Sequence, residues 1–303
     1  MRIESKPLRF FFEVASTGSF TLAAQNLNVA QPAVSMTIRK LEDNLNLKLF
    51  HREDRKVSLT DEGQALARHA ERVLLALEDT ELAMQEYRSL ENGEVRVGIP
   101  NMMGSYFFPP VLMAFRLRHP NLKLSVTEGG TAQLQHMLLS SQLDLAVVMS
   151  ESVTKELEGQ HILTEQMMVT VAKDHEFARY KEVTPKQFFA EELVMFKGEF
   201  FLRKAIDRLA KEVGCQPEIA IETNLIPLIK SVIQHGFGIS ALLPMAIAPE
   251  DDLATIPFST PLWMEFCIAW RKNGYLSRAN RAFLEFVLEH SANTSRKESL
   301  NGA

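Results

Sequence analysis

Gln31, Ser35 and Arg39 recur at every fourth residue, with Pro32, Met36 and Lys40 beside them. At that spacing they share one side of a helix. An amide, a hydroxyl, a guanidinium and an ammonium in one row are groups that hydrogen-bond base edges and phosphates. Gln pairs with adenine, Arg with guanine or phosphate, and Ser with several groups, while the Met36 side chain suits contact with a thymine methyl. Further along, Arg52, Arg55 and Lys56 surround a polar turn, where cations meet backbone phosphates without reading sequence.

Other kinds of chemistry lack their residues. The chain has no Gly-rich phosphate loop, no His-Glu-x-x-His and no Gly-x-Ser-x-Gly. Its eight histidines are scattered without metal-ligand spacing. Cys215 and Cys267 are the only cysteines, too few for a disulfide framework, and read as buried small hydrophobes. No catalytic residue, metal site or cofactor is expected.

The polar row needs elements that aim it. Leu8, Phe11, Phe12, Val14 and Ala15 form the apolar stripe of a first helix, which Thr17-Gly18-Ser19 ends, with Ser19 placed to cap the next. A second helix over roughly 20–27 buries Phe20, Ala23, Ala24 and Leu27, and its alanines let another helix cross closely. The third opens at Gln31-Pro32 and runs to about Asn44, with Ala33, Val34, Ile38, Leu41 and Leu45 inward. Two short strands around Asp54-Arg55 follow. The pattern is a winged helix-turn-helix over residues 1–60, its third helix set for the major groove; the bland alternative is a solvated three-helix bundle.

The runs Ser19-Phe20-Thr21-Leu22-Ala23-Ala24, Gln31-Pro32-Ala33-Val34-Ser35, Ile38-Arg39-Lys40-Leu41-Glu42, Leu47-Lys48-Leu49-Phe50-His51-Arg52 and Leu59-Thr60-Asp61-Glu62-Gly63 resemble the signature of LysR-type transcriptional regulators. The likeness covers nearly the whole domain in order and spacing. Ala30 departs from it where the family often has a helix-capping Ser, and Met36 where a polar or basic residue is common. The resemblance implies a DNA operator as partner, a homodimer paired into a tetramer, and RNA polymerase as a further partner.

From Asp61 to about Leu90 there is no Pro, and Leu66, Ala70, Val73, Leu77, Thr80, Met84 and Tyr87 alternate at spacings of four and three. That is a heptad seam on a linker helix over 61–92, with Leu66, Ala70, Val73, Leu77 and Met84 as its dimerisation residues. The alternative is a helix resting on its own domain's core. Asn92-Gly93 marks the boundary.

Beyond Gly93, strands and helices alternate. Strands are expected at 94–100, 122–128, 143–148, 166–172, 193–196, 218–222, 239–243 and 262–270, with helices between them and a closing helix at 279–290. Near-continuous apolar strands argue a parallel sheet covered on both faces, hence an α/β fold of two hinged subdomains. The first spans about 93–162 and 264–290, the second about 163–263, and 291–303 form a polar, mobile tail. This resembles the family's effector domain, itself similar to periplasmic binding proteins. Ligands in such sheets sit beyond the carboxyl ends of strands. That nominates Asn101, Met102, Ser105, Gly130, Thr131 and Ser150 in the first subdomain, and Phe196, Lys197, Phe200, Phe201, Thr223 and Asn224 in the second. Each has a plainer reading as a loop or core residue.

The chain of 303 residues has a net charge of −5, which taken whole speaks against nucleic acid. The distribution reverses that: residues 1–60 carry +3 and the rest −8, a basic head on an acidic body. The charged start, Met1 to Lys6, is unlike a signal peptide, and no apolar run reaches the ~18 residues of a membrane helix. A cytoplasmic regulator with no membrane partner, controlled by a small molecule, is expected. A cytoplasmic binding module and a fused lyase- or dehydratase-like enzyme are the rivals, and the intact winged helix counts against both.

Overall fold

The computed structural model describes residues 3–51, 57–88 and 93–301, which divide into two compact units, residues 1–88 and 89–303. In the first, α1 (Ser5–Thr17), α2 (Phe20–Asn26) and α3 (Gln31–Leu45) close around Phe11, Val14, Ala23, Ala24, Val34 and Ile38. α1 stops at Gly18, whose φ of 62° is left-handed backbone that a residue without Cβ adopts freely. The Ser19 hydroxyl then accepts the Leu22 N–H at 3.3 Å and caps α2. Pro32 lies in the first turn of α3, where an amide would have no helical partner.

An antiparallel ribbon follows, β1 (Phe50–His51) with β2 (Ser58–Leu59), and α4 (Asp61–Arg88) leaves from it. Phe50 packs its ring 5.3 Å from Phe11 and 5.7 Å from Phe20, tying the ribbon to α1 and α2. The exit is tight. The Thr60 hydroxyl donates to Lys48 O at 2.7 Å and accepts the Gly63 N–H at 3.0 Å. Its own N–H donates to Leu49 O at 3.1 Å. A Cβ on Gly63 would fall 2.1 Å from Leu49 O, so only glycine lets α4 start this close to β1.

The second unit runs β3 (Glu94–Ile99), α5 (Asn101–Tyr106), α6 (Phe108–Arg118), β4 (Lys123–Glu128), α7 (Thr131–Leu139), β5 (Leu145–Met149), β6 (Leu157–Ala172), α8 (Pro185–Phe188), β7 (Leu193–Met195), α9 (Phe201–Val213), β8 (Ile219–Glu222), α10 (Ile226–Gln234), β9 (Ser240–Leu242), β10 (Leu253–Arg271) and α11 (Arg278–Asn301). One six-stranded sheet has the order β4-β3-β5-β10-β6-β9, and β7 pairs with β8. A bridge from Leu193 to Ile239 lays β7 beside the start of β9. The architecture is the expected α/β pair of subdomains, with two corrections inside it.

First, the sheet is mixed. β3, β4 and β5 are parallel, as are β7 and β8, but β10 runs antiparallel to β5 and β6. The crossovers between the halves are not loops. β6 and β10 pass through both halves as long strands, and β10 throws out residues 258–261, where the ladder shifts between Pro257 and Leu262. Second, the segment after β3 is helical: α5 turns Met102 and Met103 fully into the core. The closing helix, expected to end at His290, runs to Asn301, and the buried Ser291 hydroxyl donates to Val287 O at 2.9 Å. Its inner face seats Phe283 against Phe115 of α6, ring centroids 5.0 Å apart and edge to face.

Candidate functional site

On α3, Val34, Ile38, Leu41 and Glu42 are buried while Gln31, Pro32, Met36, Arg39 and Lys40 are exposed and Ser35 is half-buried. The polar row therefore lies on one open side of a helix whose other side is held by core packing. Met36, 61% exposed, stands in that row as an apolar interruption. α3 has no side-chain cap at Ala30, as expected of an alanine in a capping position. Arg52, Arg55 and Lys56, expected on the wing, lie outside the described residues, as do residues 89–92 at the expected end of the linker helix.

The seam of α4 splits. Leu66 packs on the first unit's own core and Ala70 is fully buried within it, joined by Leu74, which the heptad reading did not select. Ala70 thus has no surface for a second chain in this structure. Val73 and Met84 are exposed, at 47% and 53%, and Leu77 is half-buried. A groove of about 230 Å³ opens beside Val73, lined also by Ile3, Leu8 and Leu66.

In the second unit β4, β3 and β5 are parallel neighbours, so their carboxyl ends share one edge of the sheet. Asn101 begins α5, Ser105 lies within it, Gly130 and Thr131 open α7, and Ser150 follows β5. All five sit at that edge. α7 has no side-chain cap, and the buried Thr131 hydroxyl has no hydrogen-bond partner among the described residues. A hydroxyl and free first-turn amides together suit an oxyanion.

The other nominated group separates. Lys197, Thr223 and Asn224 lie at the ends of the parallel pair β7 and β8, with Lys197 exposed. The two polar side chains serve the loop itself: Asn224 Oδ1 accepts the Lys197 N–H at 3.1 Å and Thr223 Oγ1 accepts the Leu225 N–H at 3.1 Å. Met102 and Phe196 are fully buried core and Phe200 is buried as well, a correction to their place beside a ligand. Phe196 and Phe200 stack at 4.8 Å, Phe200 and Phe201 at 5.4 Å, and half-buried Phe201 meets Phe266 of β10 edge to face at 5.5 Å. The row carries α9 of the second half onto a strand paired with β5 of the first.

Several contacts escaped the sequence reading because their partners are far apart in the chain. Arg208 of α9 grips Glu151, just past β5, through bonds of 3.0 and 3.3 Å. The Arg208 hydrogen bonds hold the Glu151 carboxyl below the usual carboxylate range. Above the unfolded-state value the pair adds to stability, and this is lost as pH falls through the lowered folded value. With both side chains more than half exposed, the effect is small. Arg203 donates to Phe196 O at 2.9 Å and pairs with Asp207 and Glu222, fixing the start of α9. Lys230 donates to Ala246 O at 3.1 Å, pairs with Asp251 and lies 5.6 Å above the Tyr106 ring, joining α10 to α5. Burial pushes the Cys267 thiol up, against a smaller opposing effect of its hydrogen bond with Ser150, so it is a poor nucleophile.

Among the described residues no group of three or more His, Cys, Asp or Glu is placed to hold a metal ion, and no helix is long and apolar enough to cross a membrane.

Two family models match the chain: the bacterial regulatory helix-turn-helix of the lysR family over residues 6–64, and the LysR substrate binding domain over residues 88–292. The HTH-type transcriptional regulator YwbI of Bacillus subtilis (strain 168) is 33% identical over 288 residues, 93% of this chain and 95% of that protein. A probable RuBisCO transcriptional regulator of Cyanophora paradoxa is 28% identical over 304 residues, covering 95% and 94%. Among solved structures, full-length OxyR from Pseudomonas aeruginosa superposes with a TM-score of 0.72 at 21% identity, covering 95% of each chain.

Proposed function

This chain belongs to the LysR family of transcriptional regulators, and we propose that it reads its operator with the exposed row of α3 and answers a small molecule held at the strand ends of its second unit. The observation that carries the first part is the division of α3 into a buried face and an open face bearing Gln31, Arg39 and Lys40. The open face takes base edges in the major groove, and Arg52, Arg55 and Lys56 take phosphates. Two chains pair along α4 through Val73, Leu77 and Met84, so that two heads meet two half-sites, and dimers associate into tetramers that bend the DNA. The site of action is the cytoplasm, with RNA polymerase as the further contact.

The effector enters between the two halves of the second unit. Asn101, Ser105, Gly130, Thr131 and Ser150 line one side, and Lys197, Phe201, Thr223 and Asn224 the other. The unsatisfied Thr131 hydroxyl at the start of α7 supports an acidic or otherwise oxygen-rich ligand group there. Binding changes the angle between the halves, which β6 and β10 connect, and so shifts the population of spacings between paired heads.

The test is protection footprinting on DNA upstream of the protein's own gene, and on fragments selected from the genome, with the full chain beside a truncation lacking residues 1–60. A protected stretch containing two half-sites, lost on truncation, is expected. No protected fragment in either set would sink the operator reading. Gln31→Ala should then relax preference at one base position by about 1–3 kcal/mol, read as Kd on single-base operator variants; an equal loss on operator and random DNA would remove Gln31 from base reading. Thr131→Val should keep operator affinity while blunting the footprint shift produced by whichever member of a carboxylate panel acts on wild type. A full shift in the variant would take Thr131 out of the site.

A further inference from the structure

α5 bears the candidate ligand residues Asn101 and Ser105, and its last residue, Tyr106, meets the other half. The Lys230 ammonium of α10 stands over the Tyr106 ring, 5.6 Å from its centroid. Only 13% of the Lys230 side chain is exposed. A charge withdrawn that far from water is costly unless it is engaged. Of the three N–H groups of an ammonium, one serves Ala246 O at 3.1 Å and one serves Asp251 Oδ2, with the ring beside them.

Asp251 passes the anchor on. Its Oδ2 also accepts the Ala248 N–H at 2.7 Å, and its backbone carbonyl accepts from the Gln234 side-chain amide of α10. Residues 246–251 are thereby fastened to α10 at two points. The Asp251 side chain is 15% exposed, so the ring faces an ion pair that water scarcely reaches, and a cation over an aromatic face is worth most when it is desolvated. Arg208 and Glu151 also join the halves, but both are more than half exposed, and such pairs contribute little.

We infer that Lys230 is a positioning residue for the effector response: through the Tyr106 ring it ties the helix that carries Asn101 and Ser105 to α10, so that a ligand moving α5 turns the second half with it. This rests on the effector reading above. The π face does the holding, so Tyr106→Phe keeps the contact and Tyr106→Leu removes it.

Two readouts on the full chain decide it, with each variant melted first and assayed well below its midpoint. Without added ligand, the Ala248 amide of Tyr106→Leu should exchange hydrogen about ten-fold faster than that of Tyr106→Phe, which is about 1.4 kcal/mol of lost protection. The second readout uses the member of the carboxylate panel that shifts the wild-type footprint. In Tyr106→Leu its Kd on the free chain should stay within about five-fold of wild type. The factor by which it changes operator affinity, commonly about 5–150 for coupled sites, should fall to within about two-fold of one. Tyr106→Phe should keep both. Lys230→Met with Asp251→Asn, which strands no carboxylate, should uncouple as Tyr106→Leu does, and the three changes together should do no more. Glu151→Gln should leave the factor within about three-fold of wild type. A Tyr106→Leu chain that responds like wild type, or exchanges like Tyr106→Phe, overturns the inference, as does an uncoupled Tyr106→Phe chain. Ligand binding lost in step with the response also overturns it, because Tyr106 would then belong to the pocket. If no panel member shifts the wild-type footprint, the effector reading falls first, and that outcome is separate because it appears before any variant is made.

Discussion

Gly63→Ala should unfold the DNA-binding unit well below the temperature at which the rest of the chain melts. The added Cβ would sit 2.1 Å from Leu49 O and 3.1 Å from the Leu49 carbonyl carbon. Those are backbone atoms, held by the Thr60 N–H on one side and, through the Leu49 N–H, by the Glu42 carboxylate on the other, so no rotamer change relieves the clash. Either α4 moves off β1, breaking the Thr60 cap, or the ribbon moves off α3. Overpacking of this kind costs about 3 kcal/mol or more, against which the better helix propensity of alanine, at most about 1 kcal/mol, is small. In a unit this size each kcal/mol lowers the midpoint by about 4–8 °C. Calorimetry should show the first unit's transition moving down by more than 10 °C, on the order expected from those two figures, with the second unit's transition in place. Operator protection should vanish with it. A variant that melts like wild type would mean that the chain leaves β1 differently from the structure described.

Phe283→Ala should do the converse. Phe283 is fully buried on α11 and meets Phe115 of α6 edge to face at 5.0 Å; Phe115 also packs 5.4 Å from Phe286. Removing the ring leaves a cavity between two helices that are each committed elsewhere to the sheet, so collapse is limited and the cost is about 3–5 kcal/mol. For a unit of this length that corresponds to roughly 2–4 °C per kcal/mol. The second unit's transition should fall while the first stays put. A loss below ~1 kcal/mol would show that α6 and α11 close over the gap. Together the two variants test whether the two units carry separate stabilities, because each perturbs one transition alone.

Much of the first unit was legible along the chain because its signals are local. Gly18 ends α1 and Ser19 caps α2, each within four residues of its own partner, and Pro32 opens α3. The open row from Gln31 to Lys40 follows from helical spacing alone, since the apolar residues of the same helix must face the core. The heptad spacing misled at the start of α4. Spacing says which residues share a side of α4, but not that the first turns of that side, at Leu66 and Ala70, are already covered by the unit's own core.

In the second unit β5, a continuous apolar run, and β3, with Val95, Val97 and Ile99 apolar, were plain. The stretch Leu157 to Glu165 was not, because its side chains are mostly exposed and it shows no alternation; it is a strand only because β10 supplies its hydrogen bonds. Met102 and Phe196 were placed beside a ligand by their position at strand ends, and the fold turned both inward.

The sequence by itself therefore determined the class of protein and the helices of the first unit, with the open face of α3, all of which depend on contacts within a few residues. Only the tertiary structure decided how the halves of the second unit are joined, which candidate ligand residues face solvent, and what Glu42, Glu151, Arg208 and Lys230 hold. Those outcomes depend on partners from 7 residues away, for Glu42 and Leu49, to 124 away, for Lys230 and Tyr106, and periodicity carries no information about which distant backbone or charge a side chain will meet.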